Sequence, residues 1–437
     1  MSRASQHPLK RPAPKKKRSA GLPPTPFDWN QAEGLRPPRQ PFDLFDETLR
    51  DGIQSPSVVD PPLSAKRDLL EHMAGLGIAA VDLGQPWASA RALSETVALA
   101  RHLSLRKLPL EAACAARTTQ EDLQAVAEVA QRSGRAITAY CFVGSSPIRQ
   151  WVEGWDLKLL LKRTEAAIRF ARAEGLSVAF TTEDTTRSAP EQLEALFGCA
   201  VEAGAQRLVL CDTVGHATPD GTRALVRFTK ACLRKRGAKG VKIDWHGHND
   251  RGMAEANAIF ALEAGAHRIH GCANGIGERV GNAAIEILAL NLQLLGWSHV
   301  DLKRLVDYAT AAALATGFEI PPNAPLVGRD AFRTATGVHA AAIAKARARG
   351  SHWLADRIYS AVSAGESGRE QEVGVGPLSG MSNVRYWLSM RGLPAPESLC
   401  KELLVKAKAS HAPLSDDELW RAVDGHLSRK GRSRRAG

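Results

Sequence analysis

Residues 241–275 read VKIDWHGHNDRGMAEANAIFALEAGAHRIHGCANG. A β-rich run, VKIDWH, breaks off at polar residues. A helical stretch, GMAEANAIFALEAGA, follows, and a second β-rich run begins at Arg268. Strand, helix, strand is the βα unit. The same alternation extends back to residue 42. Further β-rich runs begin near Phe42 (FDLFDE), Ala79 (AAVDLG), Leu108 (LPLEAACA), Ala136 (AITAYCFVG), Ser177 (SVAFTTED) and Arg207 (RLVLCDTV). Helical stretches such as LSAKRDLLEHMAGLG and DLQAVAEVAQRSG lie between them, several closed by Gly. Successive starts are 27 to 41 residues apart. Eight such units predict an α/β fold, a (β/α)8 TIM barrel over residues 41–298. An open doubly wound sheet is the alternative. The count of eight, and the lack of GxGxxG after the first strand, favour the barrel. After Trp297 the pattern changes. Residues 299–326 read as a helix and a linker containing PPNAP, and 327–428 as a smaller, mainly helical C-terminal subdomain with a Gly-rich loop at 365–380.

The 437 residues are 44% hydrophobic and 24% charged, which is globular composition. No apolar run is long enough for a membrane helix, and no apolar segment follows the basic N-terminus as a secretory signal requires. The seven Cys are scattered without a CxxC, which argues against a disulfide framework or a structural zinc site and fits a reducing cytoplasm. The net charge is +12. Residues 1–40 carry nine Lys/Arg against Asp28 and Glu33, and 429–437 carry five against none. These tails hold all of the excess, so the body is not a basic nucleic-acid binder. Both basic tails, the first also rich in Pro, read as disordered.

In a barrel the active site lies at the C-terminal strand ends. Here those ends turn polar together. The first continues into Asp46-Glu47-Thr48-Leu49-Arg50-Asp51, the second ends at Asp82, and the fourth at Ser145-Ser146. The fifth ends at Glu183-Asp184, the sixth at Asp212-Thr213, the seventh at His246-Gly247-His248, and the eighth runs into the loop 274–282, NGIGERVGN. On a strand, positions i and i+2 share a face. His246 and His248, with carboxylates on neighbouring strands, suit a divalent metal with mixed N/O ligands. Alone, an HxH pair is equally a pair of core or solvated histidines. Arg50 beside Asp51 is either a surface ion pair or a guanidinium able to stabilise an enolate or alkoxide. The loop glycines make either a simple turn or a backbone approach to a phosphate or pantetheine group.

Six motifs in order, FDETLRDGIQSP, TTEDTTR, CDTVGHATP, HGHNDRGMAEANAIFALEAGA, NGIGERVGNAA and GVHAAAI, resemble the DRE-TIM metallolyase superfamily over roughly residues 42–390. Within it they are most similar to the 2-isopropylmalate synthase and homocitrate synthase branch. The resemblance implies metal ligands at Asp51, His246, His248 and Asn282, with Mg, Mn or Zn as the metal. It implies Arg50 on the keto oxygen, Thr213 on the 2-oxo acid carboxylate and Glu183 close to the acid/base chemistry. Asp82, Tyr140, Gly275 and Gly277 fall at substrate-binding positions. His339 and Tyr359 match a catalytic pair that reaches the site from the partner subunit of a homodimer. The implied reaction is an acyl transfer. Acetyl-CoA loses a methyl proton, the enolate attacks the ketone of a 2-oxo acid, and water cleaves the thioester. An imidazole such as that of His339 suits the proton relay.

Three positions depart from the pattern, one of them Gln85, which with Pro86 stands where Phe-Pro is usual. The superfamily's third signature residue is Glu, and here it is Asp82. A His often found in the 2-oxo acid pocket of isopropylmalate synthases is Tyr140. 2-Oxoisovalerate, the acceptor of leucine biosynthesis, is the leading expectation. Homocitrate, citramalate and specialised 2-alkylmalate synthesis are alternatives, as is a retro-Claisen lyase. The lyases of this superfamily carry a loop Cys that GERVGN lacks. A regulatory domain with leucine feedback is not expected. A catalytically dead binding protein is disfavoured by the intact ligand set.

Overall fold

The eight β-rich runs form eight strands: β1 (Asp43–Asp46), β2 (Ala80–Asp82), β3 (Glu111–Arg117), β4 (Ile137–Gly144), β5 (Ser177–Glu183), β6 (Arg207–Asp212), β7 (Lys242–Gly247) and β8 (Arg268–Gly271). All pair in parallel and in sequence order. β8 closes on β1 with Asp43 opposite Arg268 and Asp46 opposite Gly271. The fold is a TIM barrel followed by C-terminal helices. β3 starts at Glu111 rather than near Leu108, because Pro109 has no N–H to give to a ladder.

The computed structural model describes residues 27–31 and 35–433. Most of the expected tails, at 1–26, 32–34 and 434–437, lies outside the described residues. The chain divides into Met1–Gly34, where Trp29–Gln31 makes one 3-10 turn, and Leu35–Gly437. Among the described residues no helix is long and apolar enough to cross a membrane.

The barrel helices are α1 (Leu63–Gly75), α2 (Ala90–Leu105), α3 (Gln120–Ser133), α4 (Pro147–Glu153), α5 (Leu157–Ala173), α6 (Pro190–Ala203), α7 (Pro219–Lys235), α8 (Ala254–Ala264) and α9 (Ile285–Leu294). Their ends follow local chemistry. Thr119, Ser146, Asp156 and Thr218 cap N-termini through side-chain oxygens. Gly134, Gly204 and Gly265 end helices in the left-handed conformation. α10 (Leu302–Thr316) packs against α1. Its buried Tyr308 donates its hydroxyl to Asp46 at the end of β1. Beyond it lie α11 (Gly337–Ala348), α12 (His352–Arg357), α13 (Met381–Met390), α14 (Glu397–Lys408) and α15 (Asp416–Ser433). These bury cores of their own, one built on Trp387, Leu388, Leu399 and Leu403, another on Ile343, Ala355 and Tyr386.

Strand alternation sorts side chains between the helix layer and the barrel axis. On β7, Ile243 and Trp245 join the core beneath the helices, while Asp244 and His246 turn inward. The mid-barrel layer contains Phe45, Ala80, Ala113, Tyr140, Ala179 and Val209. The alanines leave room for Tyr140 to stack on Phe45, with ring centroids 4.7 Å apart. The layer nearest the N-terminal strand ends is ionic. Arg207 bonds Asp244, and Arg268 bonds Asp43 and Glu111 (2.8 Å). Such a core is costly to bury and is tolerated because every charge is paired.

Among the buried acids without such a cation is one that burial shifts to near neutral pH. Glu286, in the first turn of α9, accepts the Asn274 N–H at 3.0 Å, and burial pushes its carboxyl from 4.5 up to about 7. The folded chain therefore keeps a proton that the unfolded chain releases. Stability from this group is fully present below about pH 4.5 and is lost as pH rises through about 7, by about 3 kcal/mol. Glu286→Gln should flatten that part of the urea-midpoint profile. A variant whose profile still falls as steeply would exclude Glu286 as its source.

Candidate metal centre at the barrel mouth

A cavity of about 300 Å³ opens at the C-terminal strand ends, lined by Arg50, Asp51, Tyr140, Glu183, Thr213, His246 and His248 among others. Larger clefts lie beside α1 and α10 (about 810 Å³) and at the opposite end of the barrel (about 580 Å³). The barrel-mouth cavity is the one on which the ionisable strand ends converge.

Its centre is a guanidinium held by three carboxylates. Arg50 gives Nε to Asp82 Oδ2 at 2.9 Å, Nη1 to Asp51 Oδ2 at 2.8 Å, and Nη2 to Glu47 Oε1. Asp82 thus still pairs with Arg50 despite its shorter side chain. Burial pushes the Asp82 carboxyl up to about 6. Burial also raises Asp51 and Glu47, but neighbouring positive charge outweighs it and both carboxyls are held low. For Asp51 that charge comes from Arg50, His246 and His248; for Glu47 it comes from His246, Arg50 and His270.

The two imidazoles converge beside this clamp. His246 Nε2 and His248 Nε2 are 3.2 Å apart, with Asp51 Oδ2 at 3.7 and 4.0 Å from them. Two nitrogens on one zinc-like ion at about 2.1 Å are about 3 Å apart, so the spacing fits a shared cation. His246 Nδ1 lies 2.6 Å from Glu47 Oε2. In the neutral ring that contact places the proton on Nδ1 and the lone pair on Nε2. Burial, reinforced by His246, lowers His248 to about 4, so the His248 ring is neutral near pH 7. Asn282 donates Nδ2 to Asp51 Oδ1 at 3.0 Å, and its Oδ1 is buried without a partner. Three carboxylates against one guanidinium, two bare imidazole nitrogens and an orphaned amide oxygen form a donor set that suits a dication.

Among the described residues two groups of side chains are close enough to hold a metal, Asp51/His246/His248 and Glu47/His246/His270, sharing His246. The first uses the facing Nε2 atoms. In the second, the 2.6 Å between Glu47 and His246 is a hydrogen-bond separation, shorter than two ligands on one ion require.

The remaining expected residues divide. Thr213 lies on the cavity wall and accepts the Asp184 N–H at 2.8 Å, which leaves its hydroxyl proton free. Glu183 also lines the wall, 3.8 Å from Arg149, and burial raises its carboxyl. Tyr140 presents its ring to the cavity, but its hydroxyl meets Asp244 and Arg268, each at 3.2 Å. It is a cavity floor, not a polar handle. Gly277, at φ +150°, has no room for a side chain, since a Cβ would sit 2.2 Å from Asn282 Nδ2. Gly275 spends its N–H on Cys272 O at 3.1 Å. Both glycines shape the loop that presents Asn282. His339 and Tyr359 are not brought to this cavity within one chain. Their rings stack 3.9 Å apart, and Tyr359 is 48% exposed.

Sequence reasoning missed Glu47, His270 and Asp244. Their signal was period two: Phe45 and Glu47, Arg268 and His270, Asp244 and His246 each share a face.

Residues 41–311 match the family model described as HMGL-like. The chain is 31% identical over 395 residues to a protein named homocitrate synthase AksA from Methanopyrus kandleri, covering 89% of this chain and 93% of that one. It is 31% identical over 387 residues to one named 2-isopropylmalate synthase from Pyrococcus abyssi, covering 86% and 75%. The crystal structure of the Bacillis subtilis HMG-CoA lyase shares the fold, with a TM-score of 0.55, 21% identity, and coverage of 65% of this chain and 97% of that one. The family match takes in the Arg50 clamp, both convergent imidazoles and the Asn282 loop, and the chain belongs to the HMGL-like family.

Proposed function

We propose that this chain condenses acetyl-CoA with a 2-oxo acid and hydrolyses the thioester, as an acyltransferase of the 2-alkylmalate synthase type with 2-oxoisovalerate as leading acceptor. The observation that carries the reading is the convergence of Asp51, His246 and His248 beside a guanidinium already clamped by three carboxylates. The similarity to proteins named for isopropylmalate and homocitrate synthesis supports the reaction class and leaves the acceptor open.

Asp51, His246, His248 and Asn282 would hold the divalent ion. When bound, that ion supplies Lewis acidity toward the acceptor's ketone oxygen. Arg50 has five N–H donors and spends three on carboxylates, so two remain for an oxygen that gains charge during attack. Its rigid clamp means little reorganisation in the transition state. The Thr213 hydroxyl is free to donate to the acid's carboxylate. Glu183, with its raised carboxyl, is placed for proton transfer at the wall. Tyr140 and Phe142 give the cavity an apolar floor for the acceptor's side chain.

The deciding assay is free-thiol release from acetyl-CoA with Mg or Mn across a panel of 2-oxo acids. Turnover with 2-oxoisovalerate supports isopropylmalate synthesis, and preference for another acid keeps the reaction and changes the pathway. No release with any acid, from metal-loaded protein, would sink the condensation reading.

The His339–Tyr359 pair completes the site only if a second copy supplies it. Exposed Val338, Trp353 and Ile358, within six residues of one or the other in sequence, are consistent with a covered face. Asp51→Ala and His339→Ala should each be inactive alone. Co-expressed, they should recover about a quarter of wild-type activity, because each mixed dimer rebuilds one intact site. Silence of the mixture would argue against shared sites.

A further inference from the structure

We propose that Glu47 is the positioning residue of this centre, one buried carboxylate that orients a metal-site imidazole through one oxygen and the catalytic guanidinium through the other. The inference rests on the functional reading above, which counts Glu47 only among the carboxylates on Arg50, and gives it a second role toward the imidazole.

Glu47 lies just past β1 and faces inward, only 2% exposed. Its Oε2 is 2.6 Å from His246 Nδ1 and its Oε1 accepts from Arg50 Nη2. A carboxylate on Nδ1 fixes the ring plane and keeps the proton off Nε2, the atom that faces His248. The same side chain holds one arm of the guanidinium against rotation. His270 packs beneath Glu47 without a hydrogen bond to it. His270 Nδ1 lies 3.2 Å from Oε2, and His270 Nε2 lies 3.5 Å from Asp244 Oδ2. Asp244 is in turn tied to Arg207 and to the Tyr140 hydroxyl. Titratable groups therefore line the axis from the barrel mouth to its opposite end, where barrels usually stack apolar side chains, although neither His270 nitrogen has a partner in hydrogen-bond geometry. An apolar residue at position 47 would cost less to bury, so stability does not account for the carboxylate. Orientation of two separate groups does.

The test uses full-length Glu47→Gln and Glu47→Asp. A Gln offers one acceptor where two are needed, and its amide N–H₂ must face either His246 or Arg50. An Asp, one methylene shorter, does not span both. Mn²⁺ titrated calorimetrically into metal-free protein should bind at one site with Kd raised about 10- to 100-fold in Glu47→Gln, and by less in Glu47→Asp. The Co²⁺ absorption spectrum should shift, and kcat should fall more than KM rises. The Asp variant carries the test if the Gln variant does not fold. A folded variant with Mn²⁺ affinity within about twofold of wild type and an unchanged Co²⁺ spectrum would overturn the proposal. So would loss of metal in Glu47→Gln with full retention in Asp51→Asn, which would make Glu47 a ligand. A wild-type chain that binds no Mn²⁺ would instead overturn the functional reading.

Discussion

Asp51→Asn is expected to lower turnover by about 10³-fold and to yield protein with sub-stoichiometric metal. Asp51 supplies the anionic oxygen nearest both facing imidazole nitrogens, at 3.7 and 4.0 Å. The substitution removes that charge and changes the hydrogen-bond sense. Asp51 now accepts from Arg50 Nη1 and from Asn282 Nδ2 at once. An Asn side chain has one acceptor for these two donors, and its own N–H₂ must point at one of them. A buried donor–donor contact costs a few kcal/mol and pushes the Asn282 loop away. Arg50 keeps Glu47 and Asp82, so the fold should survive while the centre does not. Metal analysis after dialysis against chelator and reloading, together with thiol release, checks both parts. Stoichiometric metal with wild-type turnover would remove Asp51 from the ligand set and favour the alternative group around Glu47.

The barrel was legible because each βα unit writes its own local pattern. Seven of the eight strands begin one residue or less from where their β-rich runs start, and those at Ser177, Arg207 and Arg268 coincide with them. β3 was misplaced because Leu108 and Pro109 are apolar enough to look like strand, while the ladder needs N–H groups. Asp51, His246 and His248 were legible for a related reason: strand ends that turn ionisable together are a short-range signal. Glu47 was not. Its partners are His246, 199 residues away, and His270 on a third strand. Alternation marks Glu47 and His270 as inward, but a barrel interior is expected to be apolar, and only closure of β8 on β1 reveals the pairing. The Tyr140 departure reads differently in three dimensions. In the sequence a larger phenol stands where a His is often found in the acceptor pocket, and in the structure its hydroxyl is spent on Asp244 and Arg268 while the ring alone faces the cavity.

Arg50→Lys should lower kcat by about 10² to 10³-fold, close to the loss of an oxyanion donor, although the positive charge is retained. The reason is geometric. Arg50 meets three carboxylates with three different nitrogens: Asp82 through Nε, Asp51 through Nη1 and Glu47 through Nη2. An ammonium concentrates its donors at one point and cannot reach all three. At least one buried carboxylate is then left without a partner, at a cost of about 3 kcal/mol or more. Asp82 is the first to protonate, because burial already raises it to about 6 with Arg50 in place. With its cation displaced, the carboxyl rises further, and the variant should take up a proton near neutral pH that the wild type does not. Folding stability should therefore drop most above pH 6 and recover partly in acid, since a protonated Asp82 no longer needs the pair. Urea midpoints across pH 5 to 8, measured beside kcat at saturating acceptor, separate the two consequences. If kcat falls and the midpoints stay parallel to wild type, Arg50 acts on substrate without holding the acids. If the midpoints fall and kcat does not, the guanidinium is structural and the oxygen-stabilising role assigned to it is wrong.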